Sequence, residues 1–385
     1  MSNWRFLVCR PDGKGNETLI TSDLPAESVD VTVSLSAPGS IKLTLPIHFA
    51  HLTEPDGNPV FREWGTTIYA ERDGIIMGGG IVDEVDSQKH KLTVSAVGFV
   101  GYLQDMPFTD VYGAYDVDPT DIARFIWTHV QKQPGGNLGL AVDAVKSGRK
   151  IGTRGLAAFR GRPAIKDDKG NVVTAAIPPR AEVQDEPFLL AWYQTANLLD
   201  DFNKLSQVTP FDYAERHYWQ GSRIAHTLDM AFPVMGRERK DLRFIIGENI
   251  VEAPRIYSSE YASELLFLGA GEGSAKVRAT AAQTAPDRLR RVKVVSDPGV
   301  PANSLAKRMA DTEVKFYTGK PTVGDMTVTD HPNAPIGAFE VGDTIFVQGS
   351  NAWFGSADMW VRIASISYKP GQNEVATLTV VVEGE

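Results

Sequence analysis

The sequence holds a single cysteine, Cys9, so no internal disulfide can form. Cys9 sits in the apolar-rich run Trp4–Arg10 and reads as a small buried core residue, not a reactive thiol. Both points fit folding in a reducing cytoplasm. Long hydrophobic runs are missing too. No uncharged apolar stretch approaches the ~18 residues needed to span a bilayer, and the longest candidate, Leu92–Gln104, is shorter and contains glycines. Phe6–Cys9 is too short for the apolar part of a signal peptide. Positive charge is in deficit: 39 Lys and Arg against 48 Asp and Glu leave a net charge of −9. That argues against a general nucleic-acid-coating protein, which needs a basic field. It leaves room for a channel wall along which nucleic acid slides without sticking.

Catalytic signatures are equally scarce. Gly269-Ala270-Gly271-Glu272-Gly273 follows a strand-like run, but a dinucleotide fingerprint needs a helix next, and Ser274–Thr280 alternates as a strand. Gly78-Gly79-Gly80 lies inside a strand pattern and marks a bulge or a close backbone approach, since no helix follows to make a phosphate site. The seven histidines are scattered, and only His48 and His51 are close, in a Pro-bounded loop without an acidic partner at metalloprotease spacing. No carboxylate stands in a recognisable catalytic context, and no nucleophile elbow or Cys/His constellation occurs. The sequence therefore assigns no catalytic residue, no cofactor and no metal. Of the seven tryptophans, Trp127 and Trp192 fall on expected helices among apolar neighbours and read as core. Trp353-Phe354 lies in a Gly/Ser/Asn loop and reads as an exposed contact patch.

What the chain does contain is 385 residues of ordinary globular composition, 42% hydrophobic and 23% charged, enough for two or three domains. The pattern is mainly β with α insertions, an α+β fold. Residues 1–105 read as all-β. Val29–Leu35 and Ile41–Leu45 alternate with period two around a Pro38-Gly39 turn, and Asp73-Gly74 is a two-residue hairpin signal. Residues 106–210 form a helix-containing insertion. Asp118 caps a helix with Pro119 at its first position, which Pro134-Gly135-Gly136 stops, and a second helix is expected from about Pro187 to Ser206. Residues 211–248 return as strands to the first domain. Residues 249–385 are a second β-rich region with a hairpin near Gly269–Gly273 and a helix near 304–317.

One pattern is written twice. Gly65-Thr66-Thr67-Ile68-Tyr69, a strand at Ile75–Val85 and Leu92-Thr93-Val94 form a β-meander. Gly342-Asp343-Thr344-Ile345-Phe346, a strand at Trp360–Tyr368 and Leu378-Thr379-Val380 repeat it in the same order. Two copies per chain let three chains present six near-equivalent units in a closed ring without exposed sheet edges. This points to a ring-shaped adaptor. Residues 149–180 stand apart, with eight basic residues (Arg149, Lys150, Arg154, Arg160, Arg162, Lys166, Lys169, Arg180) against Asp167 and Asp168. Two readings stand: a solvated loop, or an arm in which Arg154, Arg160 and Arg162 meet carboxylates of a neighbouring chain.

The order of these motifs resembles the tail hub, or baseplate hub, proteins of long-tailed phages, in particular minor tail proteins of phages infecting actinobacteria. The resemblance is carried by Trp64–Tyr102 with Gly98-Phe99-x-Gly101-Tyr102-Leu103, and by Asp118-Pro119-Thr120-Asp121 leading into Phe125–Gln131. Pro134–Gly139 and Val341-Gly342-Asp343 complete it. It implies two tube-type β-barrel domains per chain and a homotrimeric, pseudo-six-fold ring. Such a ring joins the tail tube or distal tail ring to the tip and forms part of the DNA exit conduit, with a lumen of little positive charge. The partners implied are further copies of the chain, a distal tail or tail-tube ring protein, the tape measure protein, and tip or fibre proteins, with DNA only in transit. The virion tail tip is the implied location. Many relatives carry a fused hydrolase or fibre extension; the strand that ends near Glu385 makes this chain a hub core. The competing classes are a tail-associated cell-wall hydrolase and a carbohydrate-binding tail module.

Overall fold

The computed structural model describes residues 3–88, 90–152, 165–166, 172–174, 187–209, 211–253, 256–257, 261–283, 288–300, 303–318, 322–351, 355–356, 358–371 and 374–382. The chain divides into two units: Met1–Gly236 with Ser367–Glu374, and Arg237–Ile366 with Val375–Glu385.

The first unit opens with seven strands: β1 (Trp4–Pro11), β2 (Glu17–Thr21), β3 (Ser28–Ser34), β4 (Ser40–Pro46), β5 (Thr67–Arg72), β6 (Ile75–Gln88) and β7 (Lys91–Val97). Their spatial order is β3-β4-β7-β6-β5-β1-β2, every pair antiparallel. The alternating residues behave as their period demands: Val29, Val31, Ile41, Leu43 and Leu45 are all buried. Asp73 and Gly74 take φ +51° and +88°, the left-handed pair that a tight hairpin needs. The three glycines of β6 answer a close approach. A Cβ on Gly79 would stand 2.4 Å from Cδ1 of Tyr69, and one on Gly80 would stand 2.7 Å from the Val97 carbonyl oxygen. Opposite them the β5–β6 register slips between Ala70 and Glu71.

Against this sheet the first unit builds a helical layer. β8 (Val111–Ala114) leads to α1 (Pro119–Gln131), where the Asp118 carboxylate accepts from the Thr120 amide at 3.0 Å. Ile122, Ile126, Trp127 and Val130 recur at helical spacing and are all buried. β9 (Leu140–Val142) follows, then a short antiparallel pair, β10 (Ile165–Lys166) and β11 (Val172–Thr174). The second helix differs from expectation. Phe188–Ala191 is strand β12, paired antiparallel with β8, and only Leu198–Val208 forms α2. Asn197, whose side chain accepts from the Leu199 amide at 3.1 Å, supplies the start that the sequence places ten residues earlier. Trp192 therefore falls in the turn between them and is 66% exposed; the core position expected for it is not observed. β13 (Asp212–Gln220) and β14 (Arg223–Ala231) form a hairpin that pairs with β9, parallel to β14.

In the second unit β15 (Phe244–Ile245), β16 (Ile250–Glu252), β22 (Asp325–Thr329), β23 (Thr344–Gln348), β26 (Met359–Lys369) and β27 (Val375–Val382) lie in the order β16-β22-β27-β26-β23-β15. Between β16 and β22 come the short pair β17 (Ile256–Tyr257) and β21 (Thr322–Val323), and a three-stranded sheet. That sheet holds β18 (Glu264–Leu268), β19 (Arg278–Ala282) and β20 (Val292–Ser296), in the order β19-β18-β20. Helix α3 (Asn303–Thr318) covers one of its faces, burying Ala306, Ala310 and Val314 against Leu265, Phe267, Ala279 and Ala281. A last small hairpin joins β24 (Ser350–Asn351) to β25 (Gly355–Ser356).

The doubled meander belongs to a larger repeat. In chain order, β1, β3, β4, β5, β6 and β7 take the same six places relative to one another as β15, β16, β22, β23, β26 and β27 do. Two departures stand out. β1 runs antiparallel to β5 whereas β15 runs parallel to β23, and β2 has no counterpart. Among the described residues these sheets are open. The two closed barrels expected from the resemblance are not observed: β2 pairs only with β1, so the strands β1–β7 do not close on themselves. The β13–β14 hairpin likewise forms its own sheet with β9 and adds no strand to the first one.

Candidate interaction surfaces

Each repeat enters its central strand through a four-residue turn: Glu63-Trp64-Gly65-Thr66 before β5, and Glu340-Val341-Gly342-Asp343 before β23. Each turn is gripped by an arginine: Arg10 from β1, and Arg239 from the segment that leads into β15. In the first unit the Arg10 guanidinium donates to the Gly65 carbonyl, to Thr66 Oγ1 at 2.9 Å and to the Val60 carbonyl at 3.0 Å, and it pairs with Glu54. Arg62 reaches the same Glu54 oxygen at 3.0 Å, and the Thr66 hydroxyl donates to the Val60 carbonyl at 2.7 Å. In the second unit Arg239 donates to the Ala338 carbonyl and to Asp343 Oδ2 at 3.1 Å, and forks onto Asp241 at 2.7 and 2.9 Å. Arginine suits both places because its planar fork satisfies several fixed acceptors at once. Arg10 holds the Glu54 carboxyl below its usual range by donating to it. Replacing Arg10 by alanine is expected to leave the sheet folded but to free this turn. Amide hydrogen exchange at Val60, Trp64 and Gly65 should then accelerate well before that of β6, and unchanged protection would remove the clamp from the account.

The turns differ in what they show. Val341 is buried and Gly342 takes the left-handed bend at φ +91°. In the first unit the bend falls on Trp64 itself, at φ +56°, with the indole 53% exposed. Its ring packs at 49° on Tyr102, 6.2 Å between centroids. A second exposed pair, Trp192 and Tyr193, stands at the start of the β12–α2 turn with rings 5.4 Å apart. The interface residues expected from the sequence, Arg154, Arg160, Arg162, Trp353 and Phe354, all lie outside the described residues.

One set of titratable side chains in the first unit is buried. His217 on β13 and His226 on β14 are cross-strand partners and bring their Nδ1 atoms to 2.9 Å, so one ring donates and the other accepts. The Tyr69 hydroxyl donates to Glu17 at 2.7 Å and lies 3.5 Å from His226 Nε2. Beyond His217, at 3.9 Å, is Glu215, whose carboxylate accepts from the Phe99 and Val100 amides at 2.7 and 2.8 Å. Burial pushes the Glu215 carboxyl up to about 7 in spite of those two amides, and burial also drives His217 well below its ordinary value, with His226 adding to the shift. The two imidazole side chains are each only 3% exposed, so the cluster offers no atom to a substrate; its role is to hold the β13–β14 hairpin on β5 and β6. Along the sequence these histidines stand nine residues apart with no motif to join them. The signal was Gly221-Ser222, a two-residue turn from which counting back pairs 217 with 226. Among the described residues no group of three His, Cys, Asp or Glu is arranged to hold a metal, and no helix is long and apolar enough to cross a membrane.

No protein-family model matches the chain, and no curated protein does. Solved structures do. The 43 kDa tail protein of prophage MuSo2 from Shewanella oneidensis is similar over 99% of this chain and 98% of its own, with a TM-score of 0.57 at 14% identity. The chain shares a tail-protein fold. A tail protein from Neisseria meningitidis MC58 gives a TM-score of 0.53 at 12% identity, over 99% of this chain and 97% of its own. A chain of the half-lidded Francisella PdpA–VgrG complex gives 0.51 at 9% identity, with 99% of this chain spanning 58% of that one. At such identities the likeness is one of fold, and it extends over both units.

Proposed function

We propose that this chain is a structural subunit of a phage tail, the hub at the tail tip, acting as a homotrimer. The observation that carries the proposal is the repeated six-strand order. Two six-strand sets of one order in each chain supply six in a trimer, so one face of the ring matches a six-fold tail tube or distal ring while the chain itself keeps three-fold symmetry. The fold shared with tail proteins supports the setting. An actinobacterial host, the tape measure and tip proteins as neighbours, and a lumen that passes DNA belong to the same proposal. The net charge of −9 suits such a lumen, since lysines and arginines along the path would retard a duplex. Two tube-type barrel domains enter as sheets that adjoining chains complete. Arg154, Arg160, Arg162, Trp353 and Phe354 remain its candidate contacts with neighbouring chains.

Light scattering on the purified protein tests the stoichiometry. Three chains of 42.0 kDa give 3 × 42.0 = 126 kDa. A stable mass of two or four chains, holding across concentrations, would remove the ring reading. A cell-wall hydrolase would instead clear a peptidoglycan gel in zymography, where the hub clears nothing.

A further inference from the structure

Among the described residues, five other than glycine adopt a positive φ: Ser36, Trp64, Asp73, Asp105 and Asp116. Four of them are serine or aspartate, whose short polar side chains tolerate the left-handed region; Trp64 is the bulky one, and there a bulky side chain is a genuine outlier. The strain is not forced by a lack of glycine, because Gly65 follows directly, and in the second repeat the corresponding Gly342 takes the bend. The turn is also held firmly. The Trp64 amide donates to the Val82 carbonyl at 2.7 Å, the Gly65 amide to Arg62 at 3.1 Å, and Arg10 grips the Gly65 carbonyl from the other side. A rigid, strained turn thus carries an indole that is 53% exposed. Local strain of this kind persists where the surroundings over-determine it, and it concentrates at functional positions.

Symmetry selects the occupant. The six sheets of a trimer would be equivalent to a six-fold partner only through residues that both repeats present. Trp64 breaks that equivalence, since its counterpart Val341 is buried. A ring of three chains therefore displays this indole three times, not six.

We propose that Trp64 is the anchor by which a three-fold-symmetric neighbouring protein of the tail grips this ring, its indole entering an apolar slot on that protein. The inference rests on the trimeric hub reading. Tryptophan suits the role: it is enriched among the few residues that dominate interface energetics, and it gives a large contact area at low entropic cost.

The first test is Trp64→Gly in the full chain. Glycine removes the strain, so the melting temperature should rise by about 2 °C or more, while the mass of the chain's own assembly stays unchanged. A fall in melting temperature would mean that the indole serves the fold through Tyr102, and would overturn the proposal. The second test is hydroxyl-radical footprinting of wild-type Trp64 in the dilute chain, in its own oligomer and in intact tail particles. Oxidation should be equal in the first two and strongly reduced in the particle. Protection already in the oligomer would make the occupant a second copy of this chain, and full oxidation in the particle would leave no occupant; either result overturns the proposal. A mass other than three chains would instead strike the hub reading, so the two failures are separable.

Discussion

Replacing Trp127 by alanine should lower the stability of the first unit by about 3–5 kcal/mol, the usual range for deleting a large aromatic side chain from a packed core. Trp127 is wholly inaccessible and lies on the buried face of α1, in the cluster that α2 completes with Leu199, Phe202 and Leu205. Domains are stable by only about 5–15 kcal/mol, so this one truncation consumes a large share of the margin. Urea denaturation followed by tryptophan fluorescence and by circular dichroism measures it. Trp127→Phe should cost much less: it keeps most of the volume and also removes an indole N–H that has no hydrogen-bond partner among the described residues. A loss from Trp127→Ala below about 1 kcal/mol would mean that the helical layer does not depend on this core.

The second large effect is in pH. Glu215 has a carboxyl pushed up to about 7 by burial, from an ordinary 4.5. The folded protein therefore binds this proton more tightly than the unfolded chain does. Stability contributed by the neutral acid is fully present below about 4.5 and is lost as pH rises through about 7. A difference of 7 − 4.5 = 2.5 corresponds to about 3 kcal/mol at most. His217 works in the opposite sense. Its proton affinity is depressed in the fold, so it loses stability as pH falls below its ordinary 6.5. In the wild type the two slopes oppose each other between 4.5 and 6.5, and only the Glu215 slope continues towards 7. Glu215→Gln, which cannot ionise, should flatten the alkaline part, so the stability difference between wild type and variant moves in the variant's favour by up to about 3 kcal/mol across neutrality. Chemical denaturation from mildly acid to mildly alkaline pH reads this directly. A constant difference at every pH would show that Glu215 is ionised throughout, held by the Phe99 and Val100 amides.

Much of this architecture was legible in the sequence because local rules and tertiary packing agree there. Val29, Val31, Ile41 and Leu43 alternate and are buried, Asp73-Gly74 turns, and Asp118-Pro119 starts α1. The repeat was visible because both copies keep Gly-x-Thr-Ile-aromatic at the same strand entry, although sequence alone showed three strands of the six. The reading failed where an apolar run fits either period. Phe188–Ala191 joins a helical pattern on paper, but its backbone pairs with Val111–Ala114, a partner some 77 residues away that no local signal names. Trp192 was misplaced for the same reason. The His217–His226 pair and the Arg10 and Arg239 clamps stayed hidden because they are made by register and by strand order, not by spacing along the chain. The left-handed backbone of Trp64 has no signature in the sequence, since nothing in Trp-Gly says which of the two residues takes the bend.

Electron cryomicroscopy of the purified full-length assembly tests the central claim most directly. The account predicts particles of three chains in which the sheet of β3–β7 and the sheet of β16, β22, β23, β26 and β27 alternate around one axis at a common radius, six in all. Particles of two or four chains, or three chains whose two sheets lie at clearly different radii, would contradict it.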